Sequence, residues 1–157
     1  MPLLLYRVDD RLIHGQVVIG WGRPLGANFI VLVDDQVRAS EWEQELYRMG
    51  VPPEVEVTFA SVAEAAQRLT TWEAGGGRGI LLMGELDTLQ RLVAAGAHIP
   101  RVNLGGVHHR PGRSERLPYL YLTEDEFHAL QSLELAGVEV TAQDLPTAAP
   151  VSLRALA

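Results

Sequence analysis

Phe29-Ile30-Val31-Leu32-Val33 is a run of five apolar residues with no polar face, followed at once by Asp34-Asp35. A strand covered on one side only alternates apolar and polar side chains. One that is apolar on both sides is covered by helices above and below, as in a parallel sheet. Working outward from this run, similar segments at 2–8, 55–60, 79–84, 101–104, 118–122 and 137–142 read as further strands. Helical patterns fill the intervals at about 16–25, 40–49, 61–73, 86–96 and 124–136. This alternation predicts one α/β domain over 1–157, an open, mostly parallel twisted sheet of about six or seven strands with helices on both faces. Gly75-Gly76-Gly77 marks a flexible turn and Pro52-Pro53 a stiff one. The tail from about Pro146 onward is expected to pack loosely.

Composition narrows the function classes. The 157 residues are 47% apolar and 21% charged, the profile of a globular domain able to bury its own core. A net charge of −7 argues against nucleic acid as a partner, since such binders present a basic face. The absence of cysteine removes disulfides, thiol catalysis and Cys-ligated zinc. All thirteen basic residues are arginine, which removes Schiff-base and P-loop lysine chemistry. The N-terminal segment lacks the basic start and long apolar run of a secretory leader, and no stretch has the length of a membrane span. A cytoplasmic location is the expectation.

Open parallel sheets bind their ligands beyond the carboxyl ends of the strands. After the first strand comes Asp9-Asp10-Arg11-Leu12-Ile13-His14-Gly15-Gln16, which leads into the apolar helix start Val17-Val18-Ile19. Two carboxylates, a guanidinium and an imidazole therefore share one turn. A helix start there would aim free backbone N–H groups into the loop, a ready anion site. Arg11 can clamp phosphate oxygens in bidentate fashion. His14 can act as a nucleophile, because a neutral imidazole nitrogen both attacks phosphorus and leaves it readily. Asp9 or Asp10 can hold the imidazole tautomer or orient Arg11. The plain alternative is that the aspartates cap a turn and pair with Arg11. A metal site is a poorer fit, because His14, Asp9 and Asp10 lack the i, i+4 spacing of a zinc-binding helix.

The stretch Arg7-Val8-Asp9-Asp10-Arg11-Leu12-Ile13-His14-Gly15-Gln16-Val17-Val18 resembles the active-site segment of IIB components of the bacterial sugar phosphotransferase system, in the mannose/fructose/sorbose family. The likeness continues through Val33-Asp34-Asp35-Gln36-Val37, Pro52-Pro53, Val102-Asn103-Leu104-Gly105-Gly106-Val107-His108, Gly137-Val138-Glu139-Val140 and Pro146-Thr147. It implies an open α/β sheet and a phosphohistidine carrier. His14 would accept a phosphoryl group from a IIA component and pass it to a sugar held by the membrane components IIC and IID. Arg11 would steady the phosphoryl group, with Asp10 as its partner. Leu12, Ile13, Gly15, Gly105 and Gly106 would line the substrate side. No metal or other cofactor is expected, since two histidines can exchange phosphate directly when donors surround the equatorial oxygens.

Other polar clusters have plainer readings beside functional ones. Gly105-Gly106 can either bring backbone N–H groups to the site or simply make a tight turn. Asp34-Asp35 can shape the rim of the site or cap the next helix. His108 and His109 read as loop residues, Arg110, Arg113 and Arg116 as a solvated basic patch, and His98 and His128 carry no assigned role. Two positions depart from the family pattern. Glu43 stands where a basic residue is usual in the second helix, and Ser40-x-x-Glu43 instead reads as a capping box. Gln143 stands where an arginine is usual near the end. Arg38 or Arg48 would have to replace the first cation. A second function class follows, a regulatory module that receives phosphate but no longer delivers it to sugar.

Overall fold

The computed structural model describes residues 2–157. Seven strands form one sheet: β1 (Leu3–Val8), β2 (Phe29–Val33), β3 (Glu56–Ala60), β4 (Gly79–Met83), β5 (Arg101–Leu104), β8 (Glu139–Ala142) and β9 (Val151–Ser152). Their order is β3-β2-β4-β1-β5-β8-β9, and every pair is parallel except β8–β9. β6 (Ser114–Leu117) and β7 (Leu120–Leu122) make a separate antiparallel hairpin.

The central strands are apolar on both faces because both faces are covered. One face packs α4 (Val62–Ala74), α5 (Leu86–Ala94) and α6 (Glu124–Leu135) through Val62, Leu69, Leu89, Leu92, Phe127 and Leu130. The other carries a π-helical turn (Gln16–Trp21) running into α1 (Gly22–Leu25), then α2 (Asp35–Arg38) and α3 (Glu41–Met49), with Val17, Val18, Trp21 and Val37 inward. Ile80, Leu81, Leu82 and Met83 of β4 are all fully buried, each worth about 1.5–3 kcal/mol of transfer free energy. Ser61 with Glu64 and Thr123 with Glu126 form complete capping boxes at the starts of α4 and α6. Ser40 accepts from the Glu43 N–H, but its own N–H goes to the Val37 carbonyl, so only half of the expected box forms at α3.

Two expectations are corrected. Segment 118–122 contains a strand, but it pairs with 114–117 outside the main sheet. The seventh strand of the sheet comes instead from the tail, which does not run loose. β9 pairs with β8, and Leu153 and Leu156 in the following 3₁₀ turn are buried. Burying those two leucines holds a segment whose β9 strand is only two residues long.

Candidate functional site

β1 lies between β4 and β5, and its chain leaves the sheet at the carboxyl edge. The ladder continues a little beyond it, with the Asp9 N–H on Met83 O and the Asp10 N–H on Gly106 O. Leu12 then turns the chain with a left-handed backbone (φ 60°), which is costly for a branched side chain and persists only where surroundings enforce it. Here the surroundings are the core. Leu12 and Ile13 are buried with Val17 and Trp21, and Leu12 Cδ2 packs against Gly84, where a Cβ would lie 2.7 Å away. Their side chains therefore anchor the loop rather than face a substrate. Gly15 is exposed.

The loop folds around Asp9, which is fully buried. Its carboxylate takes the Arg11 N–H and Nε at 3.2 Å each on Oδ1. Oδ2 receives the Arg11 terminal nitrogen at 3.3 Å, lies 3.4 Å from the Arg7 guanidinium, and sits 3.3 Å from His14 Nε2. Burial alone would raise this carboxyl, but the closeness of the His14 imidazole, the bonds from Arg11 and the charge of Arg7 hold it well below the usual carboxylate range. The expectation that Asp10 partners Arg11 is thus replaced. Asp9 shares the strand face of Arg7, two residues earlier, and points inward. Asp10 follows it and turns its carboxylate to His108 instead.

Arg7 is a residue that the sequence reading did not single out for the site, and it is among the largest fully buried side chains of the described residues. It bonds Asn103 Oδ1, the Gln143 carbonyl (2.8 Å) and the Asp144 carbonyl (3.1 Å), and lies over the Trp21 ring at 4.9 Å. Burial pulls its basicity down while Asp9 raises it. The signal for it in sequence is an arginine inside an apolar strand, two residues before an aspartate on the same face.

Gly105 and Gly106 make room for this network. A Cβ on Gly105 would fall on the Arg7 guanidinium and lie 2.7 Å from Asp9 Oδ2, and one on Gly106 would crowd Asp9 and Arg11 at 3.3–3.4 Å. His14 Nε2 is buried, and Nδ1 accepts the Gln16 N–H at 3.2 Å. The Val17 and Val18 amides go to the His14 carbonyl and the Gln16 N–H to His14 Nδ1, so these three do not form the anticipated fan of free N–H groups. Arg11 also bonds Gln16 Oε1, and its side chain is 38% exposed, open enough to meet a ligand.

The other predicted clusters disperse. Asp34 caps α2 through the Val37 N–H, and Asp35 bonds Arg91 and the Val62 N–H. Arg38 is paired with Glu64 and Arg48 with Glu45, so neither replaces the family cation of the second helix. Gln143 accepts from Asn103 and donates to the Ala148 carbonyl. Arg113 and Arg116 pair with Glu126 and Glu124, which leaves little of the expected solvated patch. His108 is the exception. Its N–H and Nδ1 both bond Asp10, at 2.7 and 2.6 Å.

Residues 3–157 match the family described as the PTS system sorbose subfamily IIB component. The chain belongs to that family. It is 30% identical over 92% of its length to the N-acetylgalactosamine-specific phosphotransferase enzyme IIB component 1 of Escherichia coli K12, covering 91% of that protein. It is 31% identical over 94% of its length to the mannose-specific EIIAB component of the same strain, of which it spans 46%. Among solved structures, manxB from Thermoanaerobacter tengcongensis matches with a TM-score of 0.89 and 31% identity, over 98% of this chain and 93% of that one. The IIBSor domain of the sorbose permease from Klebsiella pneumoniae matches at 0.87 and 27%, over 99% and 96%. The open α/β sheet is therefore the fold of the IIB family. Among the described residues no helix is long and apolar enough to cross a membrane, and no group of three potential metal ligands is present.

Proposed function

We propose that this IIB chain is a cytoplasmic phosphohistidine carrier in which His14 takes a phosphoryl group from a IIA component and passes it to a sugar presented by the membrane IIC and IID components. The observation that carries the reading is the single contact set Asp9–His14–Arg11 at the end of β1. Nδ1 of His14 accepts the Gln16 N–H, which leaves the ring proton on Nε2 beside the Asp9 carboxylate; in the reaction the Nδ1 lone pair exchanges that N–H for phosphorus. The new P–N bond forms at Nδ1 as the donor histidine leaves. The Gln16 N–H and the Arg11 guanidinium then lie beside the position of the equatorial oxygens. Asp9 balances the imidazolium charge of the phosphorylated ring. Gly106 borders the adjoining cavity and Gly15 follows His14 on the exposed side of the loop; Leu12 and Ile13 act through the loop they anchor.

The test is intact-mass spectrometry after incubation with phosphoenolpyruvate, enzyme I, the histidine phosphocarrier protein and the cognate IIA. A single acid-labile phosphate is expected, and none on His14→Ala or His14→Gln. Labelling of either variant would move the site elsewhere. A second reading has its own support. Glu43 and Gln143 replace two usual cations and Arg38 and Arg48 are engaged elsewhere, so a carrier that signals by its phosphorylation state is the alternative. Phosphorylated protein that delivers nothing to any sugar, with cognate membranes present, would favour it.

A further inference from the structure

Beside the phosphoryl site is an open polar cavity of about 280 Å³, lined by Arg11, Gln16, His108, Tyr119, Tyr121 and Asp144. Gln16 links the two, because its N–H touches His14 Nδ1 and its side chain forms part of the cavity wall. His108, in the same lining, is held by Asp10 through two bonds, one from the backbone N–H (2.7 Å) and one at Nδ1 (2.6 Å). The Arg113 guanidinium fixes the His108 carbonyl at 2.9 Å. A carboxylate on Nδ1 selects the tautomer with its proton there and leaves the Nε2 lone pair free. The side chain is 68% exposed, so that lone pair is open to a docked substrate. A base oriented by a carboxylate, in a cavity whose wall residue Gln16 is bonded to the group that becomes a phosphoryl donor, suits transfer to a hydroxyl.

We infer that His108 is the general base of the donating step, oriented by Asp10, and that it accepts the proton of the acceptor hydroxyl as that oxygen attacks the phosphoryl group on His14. The inference rests on the carrier function proposed above. In the step, the hydroxyl O–H bond breaks and its proton goes to His108 Nε2. The new O–P bond forms while the P–N bond to His14 breaks, and the N–P electron pair returns to Nδ1 as a lone pair. His108 then releases the proton to water, and both rings return to their starting state. The receiving step involves no hydroxyl and has no use for this base. Asp10 is a positioning residue, acting only through His108.

The decisive variant is His108→Asn, whose amide nitrogen can keep the bond to Asp10 while offering no basic nitrogen. Wild type and variant are phosphorylated with the cognate IIA, and then mixed in single turnover with membrane vesicles of the organism that encodes the chain. Mannose, fructose, sorbose and N-acetylgalactosamine are supplied in turn. The expected result is an unchanged rate of labelling and a rate of sugar phosphorylation lower by ~100-fold or more, the scale of general-base catalysis. Asp10→Asn should lower the same step less. Transfer by His108→Asn at the wild-type rate would overturn the inference and leave the pair as a loop latch. Equal losses in labelling and transfer would overturn it too, since a base serving only the hydroxyl cannot slow the receiving step. If wild-type phosphoprotein also delivers nothing, the donating half of the carrier function fails, and this inference with it, an outcome distinguished because it does not depend on residue 108.

Discussion

Asp9 and Asp10 are adjacent in sequence and opposite in circumstance. Asp9 is fully buried and ringed by Arg7, Arg11 and His14. Asp10 is at the edge of the site, and its partner His108 is mostly exposed. The difference shows what one carboxylate can be used for in two dielectric settings. Buried, it is tied to folding, because removing it strands a buried arginine. Paired instead with a largely exposed imidazole, and itself 15% exposed, it contributes less to stability and is free to orient a reactive group.

Breaking the buried side should have the largest effect. Asp9→Ala leaves Arg7 inside without its carboxylate and should destabilise the fold by about 3–5 kcal/mol, read as a fall in the urea midpoint. Gly105→Ala pushes a methyl group onto Arg7 and Asp9 and should cost about 1–3 kcal/mol in the same assay. Arg11→Lys keeps the charge but loses the fork, so His14 labelling should slow by about tenfold while stability changes by less than about 1 kcal/mol. Asp10→Asn should have the smallest effect on stability, within about 1 kcal/mol, because it removes a rim pair. If Asp10→Asn proves as damaging to folding as Asp9→Ala, the contrast between the two carboxylates is wrong.

Acid sharpens the same contrast. The folded Asp9 carboxyl titrates below its unfolded value, so the unfolded chain binds its proton first and stability rises with pH through that window. Its contribution should be whole above about pH 5 and drain away as pH falls below the ordinary carboxylate range. An Asp9→Asn protein, if folded, should show a flatter acid limb in thermal melts than wild type.

Much of the fold was legible because burial on both faces leaves a plain mark. Phe29–Val33 and Gly79–Met83 could belong only to the interior of a covered sheet. The hairpin strand Ser114–Leu117 left no such mark, since it begins with polar, exposed residues and pairs away from the main sheet. Nor did β9, whose two residues owe their place to Leu153 and Leu156 further along. At the site, the loop bearing His14 stood out by crowding of charge. Which aspartate faces inward was readable in principle from the two-residue spacing of Arg7 and Asp9. The bond between Asp10 and His108 was not, because it joins residues 98 apart through a loop placed by β5.

The antiparallel β9 also decides what the sheet can do at its border. Without it β8 would be the edge strand, an open ladder of unpaired amides that is a template for another chain. Two residues laid against Thr141 and Ala142 in the reverse direction, followed by a turn pinned by buried leucines, occupy the carboxyl half of that ladder and leave a partner strand little length to pair with. The chain thus carries its own guard against sheet-to-sheet aggregation on the side of the molecule where Gln143 and Asp144 hold Arg7.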